Sequence, residues 1–132
     1  MTTTEQLQRG PAEPGEAISD IAERVGVSAH TLRYYERIGL LQVGRDSAGR
    51  RVYSDADVRR IVFITRLRLT DMPIRQIQRY FALVDAGPAT EPDRLELLLR
   101  HRESVRARLV ALTAALDAVD FKIASYGGAA SL

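Results

Sequence analysis

Apolar positions recur along this chain in short helical stripes at first and in one long heptad stripe at the end. In the segment EAISDIAER, Glu16 to Arg24, the residues Ile18, Ile21 and Ala22 share a face with Val25. That spacing predicts a short amphipathic helix, with Ser19 as a candidate cap and Gly26 as its C′ stop. Ser28 is a good N-cap for a second helix running to about Ile38. Two helices joined by a tight glycine turn within some twenty residues form the helix-turn-helix pattern.

The second helix divides into two faces. Ser28, Leu32, Tyr35 and Ile38 fall on one side, while His30, Arg33, Tyr34 and Arg37 follow i, i+3, i+4, i+7 spacing on the other. Two guanidiniums, an imidazole and a phenol on one face suit phosphates and base edges in a major groove. The same pattern also describes any soluble helix with a polar outside, so the flanking segments decide. Gly39 stops the helix. Leu41-Gln42-Val43 and Arg51-Val52-Tyr53 then bracket Asp46-Ser47-Ala48-Gly49, which predicts a β-hairpin with Arg45, Arg50 and Arg51 at or near its turn. A cationic hairpin beside such a helix is a wing.

Ser54 with Asp55 and Asp57 reads as the capped start of a third helix, about 55–70. It buries Val58, Ile61, Val62, either Ile64 or Phe63, and Leu67. Pro73 opens a fourth helix, with Ile74, Ile77, Tyr80, Phe81 and Val84 on its apolar face. DAGPATEP, from Asp85 to Pro92, reads as a linker. Beyond it, Leu95, Leu98, Arg102, Val105, Leu109, Leu112, Leu116, Val119, Ile123 and Tyr126 recur at alternating spacings of three and four. A heptad seam this long, broken only at Arg102, predicts a coiled coil. A helix of about 47 Å, at 1.5 Å per residue, cannot bury its seam on four small helices, and the simplest partner is a second copy of the chain. Gly127-Gly128 ends it. Arg102 either fixes register or extends its charge to solvent.

Charge changes the picture because it is uneven. The chain of 132 residues carries a net charge of +2, yet twelve arginines face five acidic residues between Arg24 and Arg79, and the remainder is acidic. A basic segment on a neutralising scaffold is the electrostatic footprint of a nucleic-acid-binding head. Cysteine is absent, which excludes disulfides, thiolate metal ligands and thiol chemistry. His30 and His101 are too far apart in sequence to suggest a metal cage. With no Gly-rich phosphate loop, Ser/His pair or carboxylate cluster, no enzyme, metal or cofactor is expected. The apolar runs are too short for a membrane span. The first residues lack a signal-peptide pattern, so a cytoplasmic protein is expected.

Three strings, ISDIAERVGVSAHTLRYYERIGLL, GRRVYSDADV and LRLTDMPIRQI, in this order and ahead of a terminal coil, resemble the MerR family of bacterial transcription regulators. The resemblance covers about Ile18 to Tyr126. It implies a winged-helix head, an antiparallel coiled-coil homodimer and a pseudo-palindromic promoter operator. It further implies a promoter spacer that is bent and untwisted so that RNA polymerase can use it. DNA contacts carried onto this chain fall on His30, Thr31, Arg33, Tyr34 and Arg37 of the second helix, and on Arg45, Arg50, Arg51 and Tyr53 of the wing. Tyr53 has an alternative reading as a hairpin-to-core anchor, and Glu36 one as a brace for an arginine. Val43, Arg50 and Asp71 depart from the residues common in the family at those places. TDMPI and FKIASY look closest to the aldehyde- or electrophile-responsive branch, but Arg66 stands near where its reactive thiol is expected.

The expected architecture is therefore mainly α: a tail at 1–15, a winged helix-turn-helix domain at 16–85 with a small β-hairpin wing, a linker at 86–92, a coiled-coil dimerisation helix at 93–126 and a tail at 127–132. The expected function is sequence-specific transcription regulation on double-stranded promoter DNA. The alternative is a nonspecific architectural or coiled-coil interaction protein. A small-molecule effector, if one acts, would sit near Tyr80, Phe81 or His101, although such aromatics more often form plain dimer core.

Overall fold

A computed structural model describes residues 18–128, except for the side chain of Ser19. The expectations for the 1–15 tail, for Glu16, for the Ser19 cap and for residues 129–132 lie outside the described residues. Two compact units divide the chain after Asp85.

The first unit contains α1 (Ile18–Val25), α2 (Ala29–Arg37), the strands β1 (Gly44–Arg45) and β2 (Arg51–Val52), α3 (Asp55–Leu69) and α4 (Ile74–Asp85). Its core is apolar throughout. Ile21 and Ala22 of α1, Leu32 and Tyr35 of α2, Val58, Ile61 and Ile64 of α3, and Ile77 and Phe81 of α4 meet there with Leu40, Leu41, Tyr53 and Met72. Each buried set has the helical spacing read from the sequence, and Ile64 rather than Phe63 is the buried member of α3.

Helix ends are fixed by local chemistry. Ser28 and Ser54 cap α2 and α3, each hydroxyl accepting a backbone N–H three residues on, and Asp57 completes a capping box by accepting the Ser54 N–H at 2.9 Å. α2 closes with Leu40 N–H on Tyr35 C=O at 2.9 Å and Gly39 N–H on Glu36 C=O at 3.2 Å, Gly39 taking φ 84°. α3 closes in the same way, with Met72 N–H on Leu67 C=O and Asp71 N–H on Arg68 C=O, both at 3.0 Å. Here the left-handed residue is Asp71, at φ 60°. Glycine occupies such a position without strain, aspartate tolerates it, and a β-branched residue does not. Melting temperatures should accordingly rank Asp71→Gly above the parent and Asp71→Val below it. The expected changes are about 0.5 kcal/mol upward and about 1–2 kcal/mol downward; a Val variant as stable as the parent would contradict the assignment.

The hairpin is shorter than the sequence suggests. β1 and β2 are antiparallel with Gly44 opposite Val52 and Arg45 opposite Arg51. The first strand therefore begins at Gly44 and not at Leu41, because Leu40 and Leu41 are spent on the core, at 0% and 2% exposed.

The second unit is a 3₁₀ turn (Pro88–Thr90) leading into α5 (Glu91–Ser125), a helix of 35 residues. The expected linker at 86–92 is thus largely ordered structure, and the helix starts two residues before position 93. Pro88 and Pro92 lie in first turns, where a missing N–H costs nothing. Gly87 C=O accepts from Thr90 N–H at 3.1 Å, from Thr90 Oγ1 at 2.8 Å and from Arg94 Nη2 at 3.2 Å, which ties the turn to the helix. No described residue of α5 is buried. The predicted seam is mostly exposed, with Leu112 at 66% and Tyr126 at 82%, while Leu98 and Val105 are half-buried. No helix among the described residues is long and apolar enough to cross a membrane.

Candidate nucleic-acid interface

α2 is oriented by burying Leu32 and Tyr35 against the core. The opposite face then carries His30, Arg33 and Arg37 exposed, with Thr31 and Tyr34 half-buried beside them. Thr31 is held at the helix start, where Ser28 Oγ accepts its N–H at 3.0 Å and donates to its hydroxyl at 2.9 Å. The Arg37 guanidinium sits 5.3 Å from the centre of the Tyr34 ring, a cation–π contact that steadies both groups. Arg33 makes no ion pair among the described residues. α2 thus presents two cations, an imidazole and a phenol with donors available to a ligand.

The wing is organised by acids. At its turn, Asp46 Oδ1 accepts the N–H groups of Ala48 and Arg50, both at 2.9 Å, and Asp46 Oδ2 accepts from Arg50 Nε at 3.1 Å. The backbone N–H of Arg50 is the main reason the Asp46 carboxyl lies below the ordinary carboxylate value; desolvation opposes it, and Ala48 N–H and the Arg50 guanidinium add to the lowering. Gly49 closes the turn at φ 81°. At the base, Glu36 of α2 accepts from Arg51 Nε at 2.9 Å and pairs with Arg45 Nη2 at 3.6 Å. Glu36 therefore braces two arginines, where the sequence suggested a brace for one.

Of the wing residues expected to contact DNA, Arg50 is held at the turn by Asp46, and Arg45 and Arg51 are tied to α2 through Glu36. Tyr53 stands apart from them. Its side chain is 1% exposed and belongs to the core, and burial pushes its phenol pKa up. The anchor reading is the one the structure supports, because a ring this buried has no surface to offer.

Four exposed arginines outside the expected site stand on α3 and α4. Arg59, Arg68, Arg75 and Arg79 are exposed and form no ion pair among the described residues. Arg68 acts on the Tyr35 phenol, lowering a pKa that burial raises, and so lies near α2. Tyr80 and Phe81, considered for an effector, stack edge-to-face at 5.0 Å, and Phe63 meets Tyr80 at 5.5 Å.

Residues 17–83 match the family described as MerR HTH family regulatory protein, and residues 58–120 match a second described as MerR, DNA binding. The chain belongs to the MerR family. A MerR-family regulator from Listeria monocytogenes superposes with a TM-score of 0.79 at 38% identity, over 84% of this chain and 85% of that one. HiNmlR, a MerR family regulator lacking the sensor domain and solved bound to promoter DNA, gives a TM-score of 0.78 at 33% identity, over 84% and 89%. An HTH-type transcriptional regulator of Haemophilus influenzae is 35% identical over 112 residues, 84% of this chain and 83% of its own length. The MerR resemblance read from TLRYYE, the wing and the coil is borne out by all three.

Proposed function

We propose that this MerR-family chain is a DNA-binding transcription regulator acting as a homodimer on a two-fold promoter operator. One observation carries the reading: the exposed face of α2, with His30, Arg33 and Arg37 beside Tyr34, stands next to a wing whose arginines are already oriented. α2 enters the major groove, and Arg33 reads a base edge there. Arg45, Arg50 and Arg51 grip phosphates alongside. Promoter DNA bound to HiNmlR, a relative of similar fold, supports the choice of ligand. The exposed seam of α5 supports pairing with a second copy through an antiparallel coil, the head being residues 16–85. Two heads fixed by one coil are suited to bending and untwisting a promoter spacer for RNA polymerase. The relatives are named as regulators, and no catalytic role is proposed. An effector, if the protein has one, acts without cysteine chemistry.

Arg33→Ala tests the reading. The expected result is a loss of discrimination between a captured operator and random duplex of about 1–3 kcal/mol, the worth of a bidentate base contact. A uniform drop on both duplexes, with the salt dependence only slightly shallower, favours nonspecific architectural binding instead.

A further inference from the structure

Two acidic residues sit inside the cationic surface, and this needs a reason. A carboxylate facing phosphates is repulsive; the Asp46–Arg50 pair, exposed at its arginine, adds little stability in return, and the Glu36–Arg51 pair, with both side chains 25% exposed, sits more deeply than a surface pair but faces the same repulsion. The hydrogen bonds of the arginines suggest what the acids do. Arg60, away from the wing, uses every nitrogen of its guanidinium: Nε to Leu40 C=O, and Nη1 and Nη2 to Asp85. Arg50 and Arg51 are bound differently. Each donates only through Nε, to Asp46 Oδ2 at 3.1 Å and to Glu36 Oε1 at 2.9 Å, leaving both Nη groups without a hydrogen bond among the described residues. A guanidinium held by one edge has lost its rotational freedom but keeps a planar fork for a phosphate. Glu36 adds a second hold, on Arg45, and it rises from the same helix as Arg33, so the wing and the base-reading face share one anchor.

We infer that Glu36 is a positioning residue for DNA recognition, fixing the Arg51 fork relative to α2 so that base and phosphate contacts form together, while Arg45, whose Nη1 donates to Gly49 C=O at 3.3 Å and whose Nη2 pairs with Glu36, ties the base of the wing to the same carboxylate. The inference rests on the DNA-binding reading above and deepens it. It makes a prediction opposite in sign to simple charge counting. Removing a negative charge from a DNA-facing surface should strengthen binding to every duplex. Removing a positioning group weakens binding where the geometry matters and strengthens it only where it does not.

The test uses the full chain as parent, Glu36→Gln and Glu36→Ala. Two probes are used: the duplex the parent selects from a random-sequence pool, and a scrambled duplex of the same composition. Affinities are measured across a salt series. For Glu36→Ala the expected result is about tenfold weaker binding to the selected duplex, with binding to the scrambled one unchanged or stronger and its salt slope steeper by up to about one. Glu36→Gln, which keeps a carbonyl acceptor for Arg51 Nε, recovers part of the loss. In an Arg51→Lys background, the effect of Glu36→Ala on the selected duplex shrinks, because its partner is gone. Equal strengthening on both duplexes overturns the proposal, as does a loss on the selected duplex that persists undiminished with Arg51→Lys. A parent that shows no preference between the duplexes overturns the DNA-binding reading itself, whereas a discriminating parent with unaltered variants overturns only the role of Glu36.

Discussion

Leu112→Asp is expected to leave the chain monomeric and to weaken its binding to a two-fold operator by at least 100-fold. α5 runs for 35 residues, about 52 Å at 1.5 Å per residue. Along it, Leu95 and Leu109, two heptads apart, are each 58% exposed, and Leu112, the next seam position after Leu109, is 66% exposed. An apolar stripe of that length is stable in water only when another surface covers it, and in the homodimer proposed above that surface is the same seam on a second copy. A carboxylate in the middle of the seam must be desolvated on both copies of a symmetric pair, at several kcal/mol for each ion. The consequence for DNA follows from tethering. Once one head is bound, a dimer presents the second at high effective concentration, typically worth 10²–10⁴ in affinity, and a monomer forfeits it. Sedimentation equilibrium reads the first effect and operator mobility shift the second. Ala107→Glu is the control, since Ala107 is exposed about half a turn of helix away from the seam. A Leu112→Asp chain that still sediments as a dimer would refute the seam as the dimer contact.

Much of this fold was legible because its signals are periodic and local. The caps at Ser28 and Ser54, the glycine stop at Gly39, the buried faces of α2, α3 and α4 and the long run of α5 all follow from spacings of three and four or from single cap residues. The failures have physical causes. Strands of two residues are too short to show an alternating pattern, so the run Leu41-Gln42-Val43 reads as the first strand although Leu41 belongs to the core and β1 begins at Gly44. DAGPATEP has the composition of a linker, yet proline is as welcome at a helix start as in a loop, and α5 begins inside it. At the site, the cationic face of α2 and the wing arginines were visible, as residue types at set positions. What the sequence could not show is how they are held. Glu36 and Arg51 are fifteen residues apart, and Arg60 and Asp85 twenty-five, and no local period links such pairs. Tyr53 illustrates the same limit, since a tyrosine after an arginine-rich turn suits either a phosphate contact or a core anchor until its burial is known.

The second large effect is on stability, at Arg60. Its Nε donates to Leu40 C=O at 2.8 Å, just past the end of α2, and its Nη groups bind both oxygens of Asp85 at 2.7 and 3.0 Å, at the end of α4. The guanidinium also lies 4.4 Å from the centre of the Phe81 ring. One side chain on α3 thus ties the exit of α2 to the end of α4. The contributions differ in kind. The Asp85 side chain is 57% exposed, so the ion pair is screened by solvent and worth about 1 kcal/mol or less. The carbonyl of Leu40, a residue that is 0% exposed, loses its donor when Arg60 is truncated, at about 1–3 kcal/mol, and the ring contact adds about 0.5–1 kcal/mol. Arg60→Ala should therefore cost about 3 kcal/mol in denaturant unfolding, while Asp85→Asn should cost well under half of that. The pH dependence separates the two contributions. Hydrogen bonding from Arg60 holds the Asp85 carboxyl below its ordinary value; desolvation opposes the shift, and the charge of Arg60 adds to it. A depressed folded pKa gives stability that is present above the unfolded value of about 3.9 and is lost as pH falls through the folded one. The acid limb of the parent's stability curve should then flatten in Asp85→Asn and in Arg60→Ala alike, whereas only Arg60→Ala lowers stability substantially at neutral pH. Equal losses from the two variants at pH 7 would mean that the Asp85 pair, and not the tie to Leu40, is what Arg60 contributes.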